Sequence, residues 1–134
     1  MKLLIDVNVL LDAALVRSPW DQAAVQLIGA VENGKAEGWM AGHTLPTAYY
    51  FVAKEHGKPT ASSMAAGVLR VLDVVTAGRA DLQRALGLQF RDFEDAVQAV
   101  CADRAGADYI VTRDLAGFRD SPVPAREPRR CCSC

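Results

Sequence analysis

Leu3-Leu4-Ile5-Asp6-Val7-Asn8 near the amino end and Ile110-Val111-Thr112-Arg113-Asp114 near the carboxyl end share one device, a short apolar run that stops on an acid. A run of this length with no polar alternation fits a strand buried on both faces, the signature of a parallel sheet. Between the two runs, helical and strand patterns alternate. Ser18-Pro19 offers an N-cap and a first-turn proline, and Trp20, Ala24, Leu27, Ile28 and Val31 recur at helical spacing up to Asn33-Gly34. A brief strand is predicted over Gly38 to Ala41. Thr44 then caps a helix with Leu45, Ala48, Tyr49 and Val52 on one face, which ends at Gly57.

A further helix is predicted from Thr60 to Leu72, a third strand at Asp73 to Thr76, and a helix from Asp81 to Leu88. Phe93, Ala96, Val97, Val100 and Cys101 mark one face of a helix that stops at Gly106. Tyr109 to Thr112 forms the fourth strand, and a fifth near Val123 is confined to an edge by Pro122 and Pro124. The alternation predicts an α/β fold, a mostly parallel sheet of four or five strands with helices on both faces. At 134 residues, 51% of them hydrophobic, the chain has material for one core. Residues 1–125 are therefore read as one domain and 126–134 as a disordered tail holding Cys131, Cys132 and Cys134. That tail is too crowded to enclose a zinc ion, and it lacks the aliphatic residues of a prenylation signal.

Fifteen basic residues against sixteen acidic leave a net charge of −1, so the footprint of a general nucleic-acid binder is missing. No apolar run approaches the ~20 residues of a membrane span, and the opening stretch carries Asp6 and Asp12, unlike a signal peptide. The expected location is the cytoplasm, with reduced thiols.

In parallel sheets ligands bind beyond the carboxyl ends of the strands, where strand order reverses. Asp6 and Asp114 both occupy such ends. Asp92, Glu94 and Asp95 open the helix before the fourth strand and belong at the same edge. Acids crowded without matching cations repel and are driven to protonate unless a divalent cation neutralises them, and hard oxygen donors select Mg²⁺ or Mn²⁺. Such an ion activates water and stabilises charge on a phosphate, which points to phosphodiester hydrolysis. Each acid also has a structural reading: turn formation for Asp6, Asn8 and Asp114, and the helix macrodipole for Asp92, Glu94 and Asp95. Arg113 and Arg119 are candidate phosphate contacts or ordinary surface arginines. His43 is read as an exposed pre-cap residue in preference to a ligand or proton shuttle, and Trp20 and Trp39 as packing residues.

These segments resemble the bacterial PIN-domain family. Leu4 through Asp12 is similar to its opening motif, and Thr44-Leu45 with Tyr49-Tyr50 to its second. Asp92-Phe93-Glu94-Asp95-Ala96-Val97-Gln98-Ala99 is similar to its third, and Ala107 through Asp114, with Phe118, to its fourth. The resemblance implies a three-layer α/β/α fold and a metal-dependent endoribonuclease that cuts RNA. It puts metal-ligand roles on Asp6, Asp95 and Asp114, with Asn8 and Thr112 in support. It further implies a toxin similar to the VapC group, with a cognate antitoxin and homodimer formation.

One position departs from the family's pattern. The second motif usually supplies a glutamate where this chain has Thr47, and Glu55, roughly 12 Å further along the helix, is too distant to replace it. Asp92 or Glu94 are the candidates to compensate. The departure keeps a second reading open, a catalytically weak or inactive module that binds RNA or a protein partner. A phosphotransferase or receiver domain also places acids at strand ends, but this chain has neither a suitably placed lysine nor a Gly-rich phosphate loop.

Overall fold

The computed structural model describes residues 1–132, with side chains through Cys131. Its elements run β1 (Lys2–Ile5), α1 (Val7–Ala14), α2 (Asp21–Glu32), β2 (Glu37–Ala41), α3 (Thr44–His56) and α4 (Lys58–Val71). They continue with β3 (Asp73–Val75), α5 (Arg79–Gly87), α6 (Phe93–Ala105), β4 (Tyr109–Val111), a 3₁₀ turn (Ala116–Phe118), β5 (Ala125–Arg126) and α7 (Pro128–Cys132). The strands form one sheet in the order β3-β2-β1-β4-β5, and every pairing is parallel.

Alternation along the strands divides the core into two layers. Leu3, Ile5, Met40 and Val111 face Val9, Leu10 and Leu27 of α1 and α2, with Val68 and Val71 of α4 against the same cluster. Leu4, Ala41 and Ile110 face Val97, Val100 and Cys101 of α6 and Ala85 of α5. This is the α/β/α sandwich that the alternating pattern predicts. Each fully buried Leu, Ile or Val contributes about 1.5–3 kcal/mol. Gly106 ends α6 in the left-handed region at φ 72°, where glycine carries no Cβ penalty.

The chain builds outward from β1 to β2 and β3, then returns to place β4 on the other side of β1. The reversal therefore falls between β1 and β4, whose carboxyl ends carry Asp6 and the Thr112–Asp114 segment. A backbone bond from Asp6 N–H to the Val111 carbonyl, 3.0 Å, closes the two ends together.

Several expectations are corrected. Val7–Ala14 forms a helix that the apolar run conceals, because Val7, Val9, Leu10 and Leu11 are buried and only Asn8 and Asp12, four residues apart, mark the helical period. Ser18-Pro19 is a cis peptide within the turn preceding α2, which starts at Asp21, so neither residue caps that helix. His43, not Thr44, holds the N-cap position of α3, and the Thr44 hydroxyl is buried without a hydrogen-bond partner. The fifth strand lies at Ala125–Arg126, at the sheet edge as expected, with Val123 buried in the preceding loop.

The tail also differs from the disordered one expected. Arg126 pairs in β5, and α7 lays Cys131 into the apolar layer beneath α2. A short amphipathic turn with one buried side chain is enough to dock there. Ser133 and Cys134 lie outside the described residues. Among the described residues no helix is long and apolar enough to cross a membrane.

Candidate functional site

Asp6 takes the N-cap position of α1 with extended backbone (φ −69°, ψ 149°), and only 3% of the residue is exposed. Its carboxylate accepts from three neutral donors: Gln98 Nε2 at 2.7 Å, Thr112 Oγ1 at 2.9 Å and Asn8 Nδ2 at 3.4 Å. None of the three is a cation. The Thr112 hydroxyl in turn accepts from the Asp114 backbone N–H at 3.0 Å, so one buried side chain ties both strand-end acids together.

The first turn of α6 brings the remaining acids. Asp92 behaves as an N-cap, accepting from the Asp95 N–H at 3.2 Å, which satisfies one of the helix's orphan donors. Asp114 likewise accepts from the Gly117 N–H at 3.3 Å. Structural roles are therefore real for both, and they do not preclude a chemical one. Asp6, Asn8, Thr47, Asp92, Glu94, Asp95 and Asp114 line a single cleft of ≈ 300 Å³, with Arg17 as its one basic lining residue. The predicted acids thus converge, and the Thr47 position faces the same space.

The electrostatics match that crowding. Burial pushes the Asp95 carboxyl up to about 7, reinforced by the negative charges of Asp92, Asp6, Asp114 and Glu94. Burial likewise raises Glu94; His43, whose Nε2 stands 3.9 Å from Glu94 Oε1, works against that rise, while Asp6 and Asp92 add to it. His43 Nε2 is buried with no hydrogen-bond partner, so the exposed pre-cap residue expected here is partly enclosed beside the acids. A Cβ at Gly117 would stand 2.8 Å from Asp114 Oδ2 and 3.1 Å from Asp95 Oδ2, so glycine leaves a cradle against which two carboxylates lean.

An all-oxygen donor set with unbalanced negative charge fits a hard divalent cation in chemistry. Among the described residues, no three Asp, Glu, His or Cys side chains are already gathered into a ligand set. The acids line the cleft without closing on one point.

The basic residues separate. Arg119 lines an adjoining pocket with Asp92, Asp95 and Asp114, where a phosphate contact is feasible, and Arg91 stands beside it. Arg113 does not share that position. Its guanidinium points away from the cleft to form a two-pronged bond with Asp12, Nε to Oδ2 at 2.9 Å and Nη2 to Oδ1 at 3.1 Å. It also covers the ring of Trp20 at 3.9 Å. Trp20, expected to be packed, is 45% exposed and serves as that platform. Trp39 is partly buried against the sheet, with Lys2 over its ring at 5.2 Å.

Gln98 is a site residue that the sequence pattern hid. It lies within the run Ala96–Ala102, every member of which is buried. A polar side chain in such a run requires a partner, which was the available signal.

The family model described as PIN domain matches residues 2–116. The chain is 27% identical over 118 residues to Ribonuclease VapC1 of Aquifex aeolicus, an alignment spanning 84% of this chain and 81% of that protein. Among solved structures, it resembles VapBC2 from Rickettsia felis bound to a DNA fragment from their promoter. There the TM-score is 0.71 at 16% identity, with 95% of this chain and 98% of the other covered. It also resembles VapC20 of Mycobacterium tuberculosis, a Sarcin-Ricin loop cleaving toxin, with TM-score 0.66 at 14% identity over 81% of this chain and 86% of the other.

Proposed function

The chain belongs to the PIN domain family, and from that premise we propose that it is a divalent-metal-dependent endoribonuclease acting as the toxin of a toxin–antitoxin pair. One observation carries the metal reading: five carboxylates border one cleft against a single cation, Arg17, and among the described residues no arginine or lysine forms an ion pair with Asp6, Asp95 or Asp114. Relatives named as a ribonuclease and as an RNA-cleaving toxin support the reaction class. The VapBC2 assembly supports a cognate antitoxin partner. A homodimer and a cytoplasmic location complete the reading.

In this proposal Asp6, Asp95 and Asp114 hold Mg²⁺ or Mn²⁺, with Asp92 and Glu94 adding negative charge nearby. When bound, the ion supplies a more acidic water and neutralises charge developing on the phosphate. Gln98, Thr112 and Asn8 fix the direction of the Asp6 carboxylate, so that its oxygens are committed before substrate arrives. Arg119, at the mouth, takes a phosphate of the RNA.

A second reading rests on Thr47, which lines the cleft where an active family member would supply a glutamate. It makes the protein a binding module on a disabled nuclease. Three proteins separate the two: wild type, Asp6→Asn and Thr47→Glu, assayed on RNA at limiting Mn²⁺. The nuclease reading expects wild-type cleavage, its loss in Asp6→Asn, and an increase in Thr47→Glu. No cleavage by wild type together with activity in Thr47→Glu establishes the module. Cleavage that survives Asp6→Asn defeats the assigned site.

A further inference from the structure

Arg113 lies between buried Thr112, which bonds Asp6, and Asp114, which lines the acidic cleft, yet its own side chain turns elsewhere. The guanidinium binds Asp12 in α1 and stacks on Trp20 at the entry to α2. β4 ends at Val111 and the chain bends at Arg113, so the contacts of the Arg113 side chain bear directly on the backbone that carries Thr112 and Asp114. Asp12 is 2% exposed, and the described residues offer it no partner except Arg113. Both carboxylate oxygens are used, in the planar fork that arginine makes and lysine does not.

We propose, on the footing of the nuclease reading above, that Arg113 is a positioning residue whose clasp on Asp12 holds Asp114 in the cleft. The segment after β4 has no strand partner beyond Thr112, whose N–H reaches the Arg126 carbonyl at 3.0 Å. Past that bond, Asp114 is held by the Thr112 hydroxyl and by its own bond to Gly117, both local to the loop. The Arg113 clasp ties this loop to the body of α1, in the layer opposite the one that Phe118 enters, and adds to the Thr112 bond to Asp6. Because α1 begins at Asp6, the clasp also sets the two strand-end acids in one frame: Asp6 opens the helix and Asp12 lies within it.

The test uses the full chain and Mn²⁺ alone before any RNA is added. Arg113→Lys keeps the charge but loses the fork and the stacking. Asp12→Leu/Arg113→Met removes the pair without leaving a buried charge unpaired, which keeps the experiment informative where Arg113→Ala would fail to fold. In both variants the Mn²⁺ concentration that gives half the maximal melting shift should rise about tenfold, the scale of losses from residues behind a ligand. In metal-free protein the Asp114 amide should exchange with solvent at least about tenfold faster, since it opens with the loop.

On RNA, kcat should fall while KM stays within about twofold, because Arg113 touches no substrate. Raised KM with unchanged kcat and a flatter salt dependence would make Arg113 a phosphate contact and overturn the role. A wild-type Mn²⁺ shift that both variants reproduce, with Asp114 exchange unchanged, overturns it as well. No Mn²⁺ shift in wild type, matching Asp6→Asn, defeats the nuclease reading itself, and the role falls with it.

Discussion

Thr112→Val removes one oxygen atom from the interior and keeps the outline of the side chain. Thr112 is fully buried, and its hydroxyl makes two bonds, donating to Asp6 at 2.9 Å and accepting from the Asp114 N–H at 3.0 Å. A bond to an ionised acceptor is worth about 1.5–3 kcal/mol, and one to a partly buried backbone donor about 0.5–1.5 kcal/mol. The extra methyl returns under about 1 kcal/mol of burial. The net loss is then about 1–3.5 kcal/mol, which for a domain of this size lowers the melting temperature by about 3–15 °C. Calorimetry at pH 7.5 in chelator measures it, with Thr112→Ser as the control that keeps both bonds and loses only a methyl. In an Asp6→Asn background the same change should cost less, because the acceptor is no longer charged. A valine variant as stable as the serine one would refute the claim that this hydroxyl joins the two acids.

Two further outcomes follow from the acids. Asp95 titrates near 7 when folded against 3.8 as a free carboxyl, so the folded state binds its proton more tightly. Its contribution is intact below the unfolded value and is lost as pH rises through the folded one. In chelator, Asp95→Asn should therefore melt above wild type at pH 8, and the gap should close by pH 4; a gap constant with pH would contradict this, and saturating Mn²⁺ should reverse the order at pH 8. Gly117→Ala places a Cβ 2.8 Å from Asp114 Oδ2 and 3.1 Å from Asp95 Oδ2, so the ends of both side chains must swing aside. Metal-free stability should change by less than about 1 kcal/mol while the Mn²⁺ requirement rises; an unchanged Mn²⁺ titration would remove these two groups from the site.

The fold was legible where local rules and tertiary structure agree. Ile5 before Asp6 and Val111 before Thr112 announce buried strands that end at a site, and Gly106 stops α6 with the left-handed turn its position requires. It was illegible where burial erases the pattern. α1 is short and rich in β-branched and apolar residues, so the run after Asp6 passes for a continuation of the strand, and Asp12 reads as a stray acid when it is the anchor for Arg113. α7 is too short, and too rich in proline and arginine, to show a face before Cys131 is seen beneath α2.

The convergence of Asp6, Asp92, Glu94, Asp95 and Asp114 on one cleft was legible because two strand ends and one helix start fall at the same sheet edge. The direction of a side chain was not. Arg113 sits next to Asp114 in sequence, which leaves a phosphate contact and an ordinary surface arginine equally open, whereas the fold turns its guanidinium onto Asp12 and away from the cleft that Asp114 lines. Gln98 escaped notice for the reverse reason, since a single amide among apolar residues gains meaning only once Asp6 is known to lie 2.7 Å away.

Thr47 is where charge balance and metal binding oppose each other. Its hydroxyl donates to the His43 carbonyl at 2.9 Å, so the side chain is engaged with its own helix and offers no charge to the cleft. Five carboxylates already border that space, and burial, with their mutual repulsion added to it, raises Asp95 and Glu94. A sixth at this position would add to the repulsion in metal-free protein and to the attraction for a divalent ion. The two effects have opposite signs and can be measured apart. Thr47→Glu should melt below wild type in chelator at pH 8, and it should need less Mn²⁺ for half of a larger stabilisation. If the variant melts lower in chelator but gains no more from Mn²⁺ than wild type does, residue 47 lies outside the reach of the ion, and threonine there says nothing about activity. A variant unchanged in both conditions would mean that the acids do not share one electrostatic site.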